Sequence, residues 1–124
     1  MKQTLAIAIG GSLGALLRYG VANGVHAVLG RGFPYGTLIV NVSGCLAMGL
    51  LYVLLVERLA LGPEWRAALL IGVLGAFTTF SSFSMETFAL FEAGERVKAL
   101  MNVLLSVSLC LAAVWLGVLV GRRL

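Results

Sequence analysis

Long apolar stretches alternate with short polar breaks along nearly the whole chain. Four apolar segments cover residues 5–29, 36–56, 67–91 and 99–120, and each approaches or exceeds the ~20 residues that a helix needs to cross a bilayer. The breaks between them carry turn and charge signals, and none is long enough for a further domain. The pattern predicts an all-α membrane protein with a single domain of four transmembrane helices over residues 1–124.

The composition supports an integral membrane protein. Of the 124 residues, 60% are hydrophobic and 11% are charged, and the mean hydropathy is +1.05. A soluble domain needs far more polar surface than this. The formal net charge is +4, and the basic residues lie mostly in the breaks and at the ends, which is typical of membrane topology and anionic headgroups. We therefore expect a lipid bilayer around the chain and no nucleic-acid partner.

The distribution of basic residues predicts the orientation of the chain only weakly. Five lie on the side of the termini and three on the other side, when Arg18 within the first segment is left out. Positive charge normally marks the cytoplasmic face clearly. A small protein with so weak a bias can insert in both orientations and pair antiparallel, although the count also allows one orientation with cytoplasmic termini. The residues counted are Lys2, Arg58, Arg66, Arg122 and Arg123 on the terminal side, and Arg31, Arg96 and Lys98 on the other.

Asn41 is a polar residue early in the second segment, and polar groups deep in lipid mark helix contacts or a pathway. It shares one helix face with Thr37, Gly44 and Cys45, so that this face is small and partly polar. Its amide offers two N–H donors and a carbonyl acceptor. Two interpretations stay open: an interhelical hydrogen bond that holds a dimer together, or a donor aimed at a passing anion.

Three other polar features lie within the apolar segments. Asn102, Ser106 and Cys110 follow one another at i, i+4 and i+8, and such a stripe either lines an ion path or packs against another helix. Arg18 snorkels to the interface, faces a vestibule that concentrates anions, or does both. Glu86 caps a helix start, lines a mouth or pairs with Arg18, and the sequence does not choose among these.

The third segment contains GAFTTFSSFSME at 75–86, which places five hydroxyl residues and three phenylalanines among apolar neighbours. Hydroxyls bond locally to backbone carbonyls, so this run predicts a helix that is broken near its middle, inside protein or beside a cavity. Freed carbonyls at a break can bind a small cation, and the N–H groups of the new helix favour an anion. The positive ring edges could guide an anion, although aromatic residues at this spacing usually pack.

Three motifs together resemble the signatures of the Fluc, or CrcB-type, family of fluoride channels. They are GGSLGALLRY at 10–19, GTLIVNVSG at 36–44 and GAFTTFSSFSMETF at 75–88, and they follow the family's order on the first three helices. The four-span length fits as well, so the resemblance covers essentially the whole chain. The departures are small: Ser82 stands where threonine is frequent, Ala76 where glycine or a larger residue is common, and Cys110 where a hydroxyl is more usual.

The resemblance implies a passive, fluoride-selective channel of a bacterial-type inner membrane that exports cytoplasmic fluoride and gives fluoride resistance, and not an enzyme. It also implies an antiparallel, dual-topology homodimer with two pores and a structural Na⁺ at the dimer interface. Gly75 and Thr78 match the backbone carbonyl donors to that Na⁺, and Arg18 matches a vestibule arginine. The candidate fluoride-pore residues, taken from the resemblance and from donors able to replace the ion's water, are Asn41, Phe80, Phe83, Ser81, Ser82, Asn102, Ser106 and Cys110.

Two other functions are alternatives. A small multidrug-type, proton-coupled cation transporter also has four helices and often dual topology, but it requires an acid embedded in the membrane. Glu86 is the only candidate, toward the end of the third segment, and Arg18 would repel a cation. A non-transporting scaffold would explain the many glycines as helix contacts, but not the polar third segment.

Overall fold

The computed structural model describes residues 1–59 and 61–124, which fold into helices joined by short connections. Helix α1 covers Lys2–Leu29. Helix α2 covers Tyr35–Tyr52 and continues into a π-helical stretch over Val53–Arg58. Next come α3 (Pro63–Arg66), a second π-helical stretch over Ala67–Leu74, α4 (Gly75–Phe77) and α5 (Phe80–Glu92), and the last helix is α6 (Arg96–Arg123).

Four helical stretches are long and apolar enough to cross a membrane, as the hydropathy pattern predicts. Each extends beyond the apolar segment that lies within it, because the helical backbone continues into flanking polar residues such as Lys2 and Arg123. Basic residues at such ends reach the headgroup region of a bilayer. The four stretches are Lys2–Leu29, Tyr35–Arg58, Pro63–Glu92 and Arg96–Arg123.

Glycines bring α1 into backbone contact with the third spanning stretch. Gly10 and Gly14 are buried, and a methyl group at either would collide with the carbonyl oxygen of Ala68 or Val73, respectively. Helices in lipid lack a hydrophobic driving force between them, so small residues that allow close backbone approach are a main source of packing. This contact fixes the depth of α1 relative to the residues that lead into α4.

Helices α2 and α6 pack against each other in the same way. Gly49 of α2 lies against the backbone of Val114, and Gly117 of α6 lies against the backbone of Leu46. The contact between α2 and α6 is the most extensive between any two elements of the described residues. Like the contact of α1, this contact requires glycine, which has no side-chain carbon. Alanine at Gly49 or Gly117 would force the two helices apart.

The ends of α2 and α6 show that these two helices run in the same direction. At the carboxyl ends of the π-helical stretch that continues α2 and of α6, Glu57 and Arg122 form an ion pair with an O···N distance of 3.0 Å. At their amino ends, Lys98 donates through Nζ to the Gly32 carbonyl at 3.2 Å. Both pairs are exposed and contribute little stability, but they establish which residues of α2 and α6 lie at the same depth.

Large apolar side chains face outward along all four spanning stretches. Examples are Leu16, Ile71, Leu111 and Trp115, each more than half exposed. Among the described residues, the fully buried large side chains are Val40, Val53 and Asn102. In a bilayer, outward apolar surface of this kind faces lipid tails or another protein chain.

Candidate functional site

The third spanning stretch is interrupted between α4 and α5. Thr78 has φ −81° and ψ 153°, and Thr79 has φ −149° and ψ 113°, so both residues are extended rather than helical. Their hydroxyls bond locally: Thr78 Oγ1 donates to the Leu74 carbonyl at 3.0 Å, and Thr79 Oγ1 accepts from the Ser82 N–H at 3.1 Å as the N-cap of α5. The side chains of the Thr/Ser run therefore satisfy the backbone on both sides of the interruption.

Asn41 of α2 binds the interruption through both halves of its amide. Its Nδ2 donates to the Thr79 carbonyl at 3.0 Å, and its Oδ1 accepts from the Thr79 N–H at 2.7 Å. We call this pair of bonds the Asn41 clamp. The clamp is part-buried and uses one of the two amide hydrogens, so one donor of Asn41 remains for another partner.

The clamp also explains which carbonyls the interruption frees. In a continuous α-helix, the Thr79 N–H would donate to the Gly75 carbonyl and the Ser82 N–H to the Thr78 carbonyl. Here the first N–H donates to Asn41 and the second to the Thr79 hydroxyl. The carbonyl oxygens of Gly75 and Thr78, which the sequence predicts as ligands to Na⁺, therefore do not accept the hydrogen bonds that a continuous helix would give them.

A cavity of about 330 Å³ lies beside the interruption. Phe80 and Phe83 form one wall, with ring centroids 5.4 Å apart and planes tilted by 47°. Phe83 is 9% exposed, whereas Phe80 is 78% exposed and closes only part of the cavity. We call this space the phenylalanine cavity; its lining residues are Asn41, Cys45, Thr78, Thr79, Phe80, Phe83, Ser106, Val107, Cys110 and Leu111.

A second cavity, of about 490 Å³, shares the lining residue Thr79 with the phenylalanine cavity and is more polar. It contains both Arg18 and Arg31, and Thr79 lines it as well as the phenylalanine cavity. We call it the arginine cavity. Its remaining polar or titratable lining residues are Tyr19, Asn23, His26, Thr37, Ser82 and Glu86. The clamped residue Thr79 is thus the residue that the linings of the two cavities have in common.

Arg18 and Glu86 both line the arginine cavity, but they bind different partners. Arg18 donates through Nε to the Ala76 carbonyl of α4 at 3.1 Å. Glu86 accepts through Oε1 from the Thr37 hydroxyl at 2.8 Å, and its buried Oε2 has no hydrogen-bond partner among the described residues. Glu86 therefore lines a cavity, which is compatible with the predicted role at the mouth of a path. The predicted ion pair with Arg18 does not form, and the ion pair among the described residues joins Glu57 and Arg122.

The stripe on α6 divides between two environments. Ser106 and Cys110 line the phenylalanine cavity. Asn102 is 2% exposed and donates to the Thr87 hydroxyl at 2.8 Å, while it accepts from Ser106 Oγ at 3.4 Å. The structure therefore brings Ser106 and Cys110 to the phenylalanine cavity. Asn102 is buried outside its lining and accepts a hydrogen bond from Ser106.

The predicted pore hydroxyls on α5 are also separated. Ser82 lines the arginine cavity, whereas Ser81 is exposed, with its Oγ 3.2 Å from Thr79 Oγ1. Sequence reasoning missed Thr79 as the residue common to both cavities, and missed the partners Thr37 and Thr87. The sequence contained a signal for these partners. A buried amide or carboxyl group in a membrane needs a hydrogen-bond partner, and the neighbouring segments contain threonines.

Comparison with known proteins finds relatives that carry the same name. A protein of Methylococcus capsulatus named "Fluoride-specific ion channel FluC" is 60% identical over 119 residues, which are 96% of this chain and 52% of that protein. A protein of the same name from Coxiella burnetii is 54% identical over 98% of this chain and 99% of its own length. One from Geobacter metallireducens is 50% identical over the whole of both chains. The chain thus spans about half of the first relative and essentially all of the other two.

The family described as "CrcB-like protein, Camphor Resistance (CrcB)" matches residues 5–118, which cover all four spanning stretches except their outermost residues. This match agrees with the relatives in extent and with the motifs on the first three helices. The chain is therefore a multi-pass membrane protein that belongs to the CrcB-like family.

Proposed function

We propose that this protein is a fluoride-selective channel through which the anion moves passively. Relatives at 50–60% identity carry the name of a fluoride-specific ion channel and not of an enzyme. The observation that carries the proposal is the Asn41 clamp, which holds an interruption of a spanning helix between two cavities. Interrupted backbone at membrane depth is tolerated where it lines a cavity. The proposed path runs from the arginine cavity past Thr79 into the phenylalanine cavity.

Hydrogen-bond donors along this path suit a small, strongly hydrated anion. Fluoride gives up its water only where donors replace it, and Asn41, which has a free amide hydrogen, and Ser106 both line the phenylalanine cavity. Asn102 takes part indirectly, since it holds the Ser106 hydroxyl, which can rotate toward an ion. Ser82 and Ser81 supply donors at the side of the arginine cavity and beside Thr79.

Positive charge lies at the entrance of the path and not within it. Arg18 and Arg31 line the arginine cavity, where they raise the local concentration of anions. The residues that line the phenylalanine cavity include no arginine or lysine, so no full charge traps the ion there. The positive edges of Phe80 and Phe83 provide weaker attraction, which lets the ion pass.

Passive flux of this kind serves export. Hydrogen fluoride enters cells as a neutral acid and ionises at cytoplasmic pH, and the negative-inside potential of the plasma membrane then drives the anion outward. A channel in a bacterial-type inner membrane therefore lowers cytoplasmic fluoride and gives fluoride resistance without coupling to ATP hydrolysis or to the transport of a second ion.

A structural Na⁺ belongs to the same proposal. The described ranges contain no group of three or more His, Cys, Asp or Glu side chains that could hold a metal. The carbonyls of Gly75 and Thr78 fit, because their helical donors bond to Asn41 and Thr79 instead. Carbonyl oxygens at an unwound segment are suitable ligands for Na⁺. When bound, the cation would neutralise these dipoles and hold the interruption in place.

An antiparallel homodimer with dual topology completes the proposal, with the broken third helix of each copy at the shared interface. The support is the weak charge bias between the two sides of the chain and the exposure of Gly75 and Phe80, which leaves the interruption uncovered on one side. A second copy over that face would close the phenylalanine cavity, and the symmetry would give two pores.

Cation exchange of the multidrug type is not favoured by the geometry. The acid it requires would be Glu86, which shares its cavity with Arg18 and Arg31 and accepts a hydrogen bond from Thr37. A cationic substrate would meet two arginines before it reached the carboxylate.

The test is anion efflux from liposomes that contain the purified protein. We expect fluoride release, followed with a fluoride electrode, and no chloride release under the same gradient. Phe80→Ile should abolish most of the flux, whereas Phe88→Ile, an exposed phenylalanine of α5 that does not line the phenylalanine cavity, should not. Equal chloride flux, or no flux of either ion, would refute the proposal.

A further inference from the structure

The phenylalanine cavity holds two thiols whose chemistry differs from that of its hydroxyl and amide donors. Cys45 of α2 and Cys110 of α6 both line it, and both are unpaired and half-buried. A thiol is a weak hydrogen-bond donor, so it does little for a hard anion such as fluoride. Two thiols that converge on one cavity from two helices provide a different chemistry, that of a soft-metal ligand.

The packing of α2 against α6 fixes the position of both thiols. The helices run in the same direction and touch through Gly49 and Val114, which lie four residues after Cys45 and Cys110, respectively. Residues four apart share a helix face, so both cysteines lie one turn before a backbone contact, on the faces that meet. The packing therefore directs both thiols toward the same cavity from facing sides of α2 and α6.

We propose that Cys45 and Cys110 form a two-thiolate site for a soft divalent cation of the Hg²⁺ class, whose occupation blocks the phenylalanine cavity. The binding site stands on its own geometry, whereas the block rests on the proposed function. On binding, each thiol releases its proton to water and two sulfur–metal bonds form, with no change of oxidation state. Two thiolates and a divalent cation give a neutral complex, which avoids the cost of a buried charge.

The other lining residues select the class of metal. The cavity presents no His, Asp or Glu beside the two cysteines. Zn²⁺ is almost always four-coordinate in structural sites and finds too few ligands here, and Mg²⁺ and Ca²⁺ require several oxygen ligands. Thiolates favour soft metals, and a soft cation that is satisfied by two of them matches what the cavity offers.

Metal retention tests the site without any measurement of flux. The purified protein is loaded with one equivalent of Hg²⁺, passed through gel filtration with an excess of a monothiol, and analysed for metal per chain. Two ligands on one scaffold act at high effective concentration, so the wild type should resist the monothiol roughly a hundredfold better than Cys45→Ser or Cys110→Ser. The matched control is Ser108→Cys with Cys110→Ser, which keeps two thiols but moves one to an exposed position of α6.

The outcomes separate the site from the proposed function. Retention in the wild type alone supports the site; equal loss from the wild type and Cys45→Ser, or retention by the Ser108→Cys control, overturns it. Block is then measured as fluoride efflux before and after Hg²⁺ and a monothiol wash, with each variant compared with its own initial flux. Persistent inhibition in the wild type alone supports the block, and a metal-loaded wild type that still conducts overturns it. Metal retention in a protein that never conducts fluoride would refute the proposed function and leave the thiol site standing.

Discussion

At the scale of single residues, Asn41 depends on both halves of its amide. In Asn41→Asp, one carboxylate oxygen can still accept from the Thr79 N–H, but the other replaces Nδ2 and faces the Thr79 carbonyl, where no hydrogen lies between the two oxygens. The variant also places a negative charge on the proposed path. Two like charges about 4 Å apart repel by roughly 4 kcal/mol in a partly solvated protein site, so we expect liposome fluoride flux to fall by at least roughly a hundredfold.

Asn41→Ala distinguishes charge from the loss of the clamp. It removes both bonds to Thr79 and adds no charge, so it should conduct less than the wild type and more than Asn41→Asp. Equal flux in the two variants would show that the clamp matters and the charge does not. Unchanged flux in Asn41→Asp would place the amide outside the ion path.

At the scale of secondary structure elements, α5 depends on its cap. Thr79→Val keeps the shape and the β-branched preference for extended backbone, but removes the Oγ1 that accepts from Ser82 N–H at the start of the helix. Loss of an N-cap costs about 1 kcal/mol. We expect a lower thermal midpoint in detergent for Thr79→Val and a near wild-type midpoint for Thr79→Ser, which keeps the hydroxyl. A valine variant as stable as the serine variant would show that the cap does not hold α5.

The spanning stretches could be predicted because a bilayer imposes a length and a composition on every helix that crosses it. The hydroxyl run likewise indicated where local bonds compete with the helix, and the extended residues Thr78 and Thr79 lie within that run. The partner of Asn41 could not be predicted. It depends on how α2 is rotated against the third stretch, and that rotation is set where Gly44 admits Thr78 and the ring of Phe77. A single sequence shows that Gly44 is small, but it does not show that Thr78 and Phe77 pack against it.

At the scale of the whole molecule, one chain leaves its candidate path open on one side. Phe80 and Phe83 form a pair, yet the first is 78% exposed and the second 9% exposed. Gly75, just before the interruption, is exposed as well. Backbone polar groups freed at membrane depth are unfavourable against lipid tails. Cover by a second copy of the chain would give both the interruption and the open cavity a protein environment.

Gly75→Ala tests that cover, because the single chain has room for the change. An added methyl group would lie 3.7 Å from the Leu70 carbonyl oxygen, an ordinary contact, and alanine is favoured over glycine in a helix by about 1 kcal/mol. The isolated chain should therefore fold at least as well. If Gly75 and its carbonyl lie at the proposed dimer interface, the methyl group would instead separate the two copies.

We expect Gly75→Ala to shift the protein from dimer to monomer in size exclusion with light scattering, and to lose fluoride flux. Gly20→Ala is the matched control, since Gly20 is an exposed helical glycine with no atom within 4 Å of an added methyl group. A Gly75→Ala protein that stays dimeric and conducts like the wild type would place Gly75 away from the interface. That result would also show that the Gly75 carbonyl is not a ligand to a Na⁺ shared between two copies, because a ligand to a shared ion must lie where the copies meet.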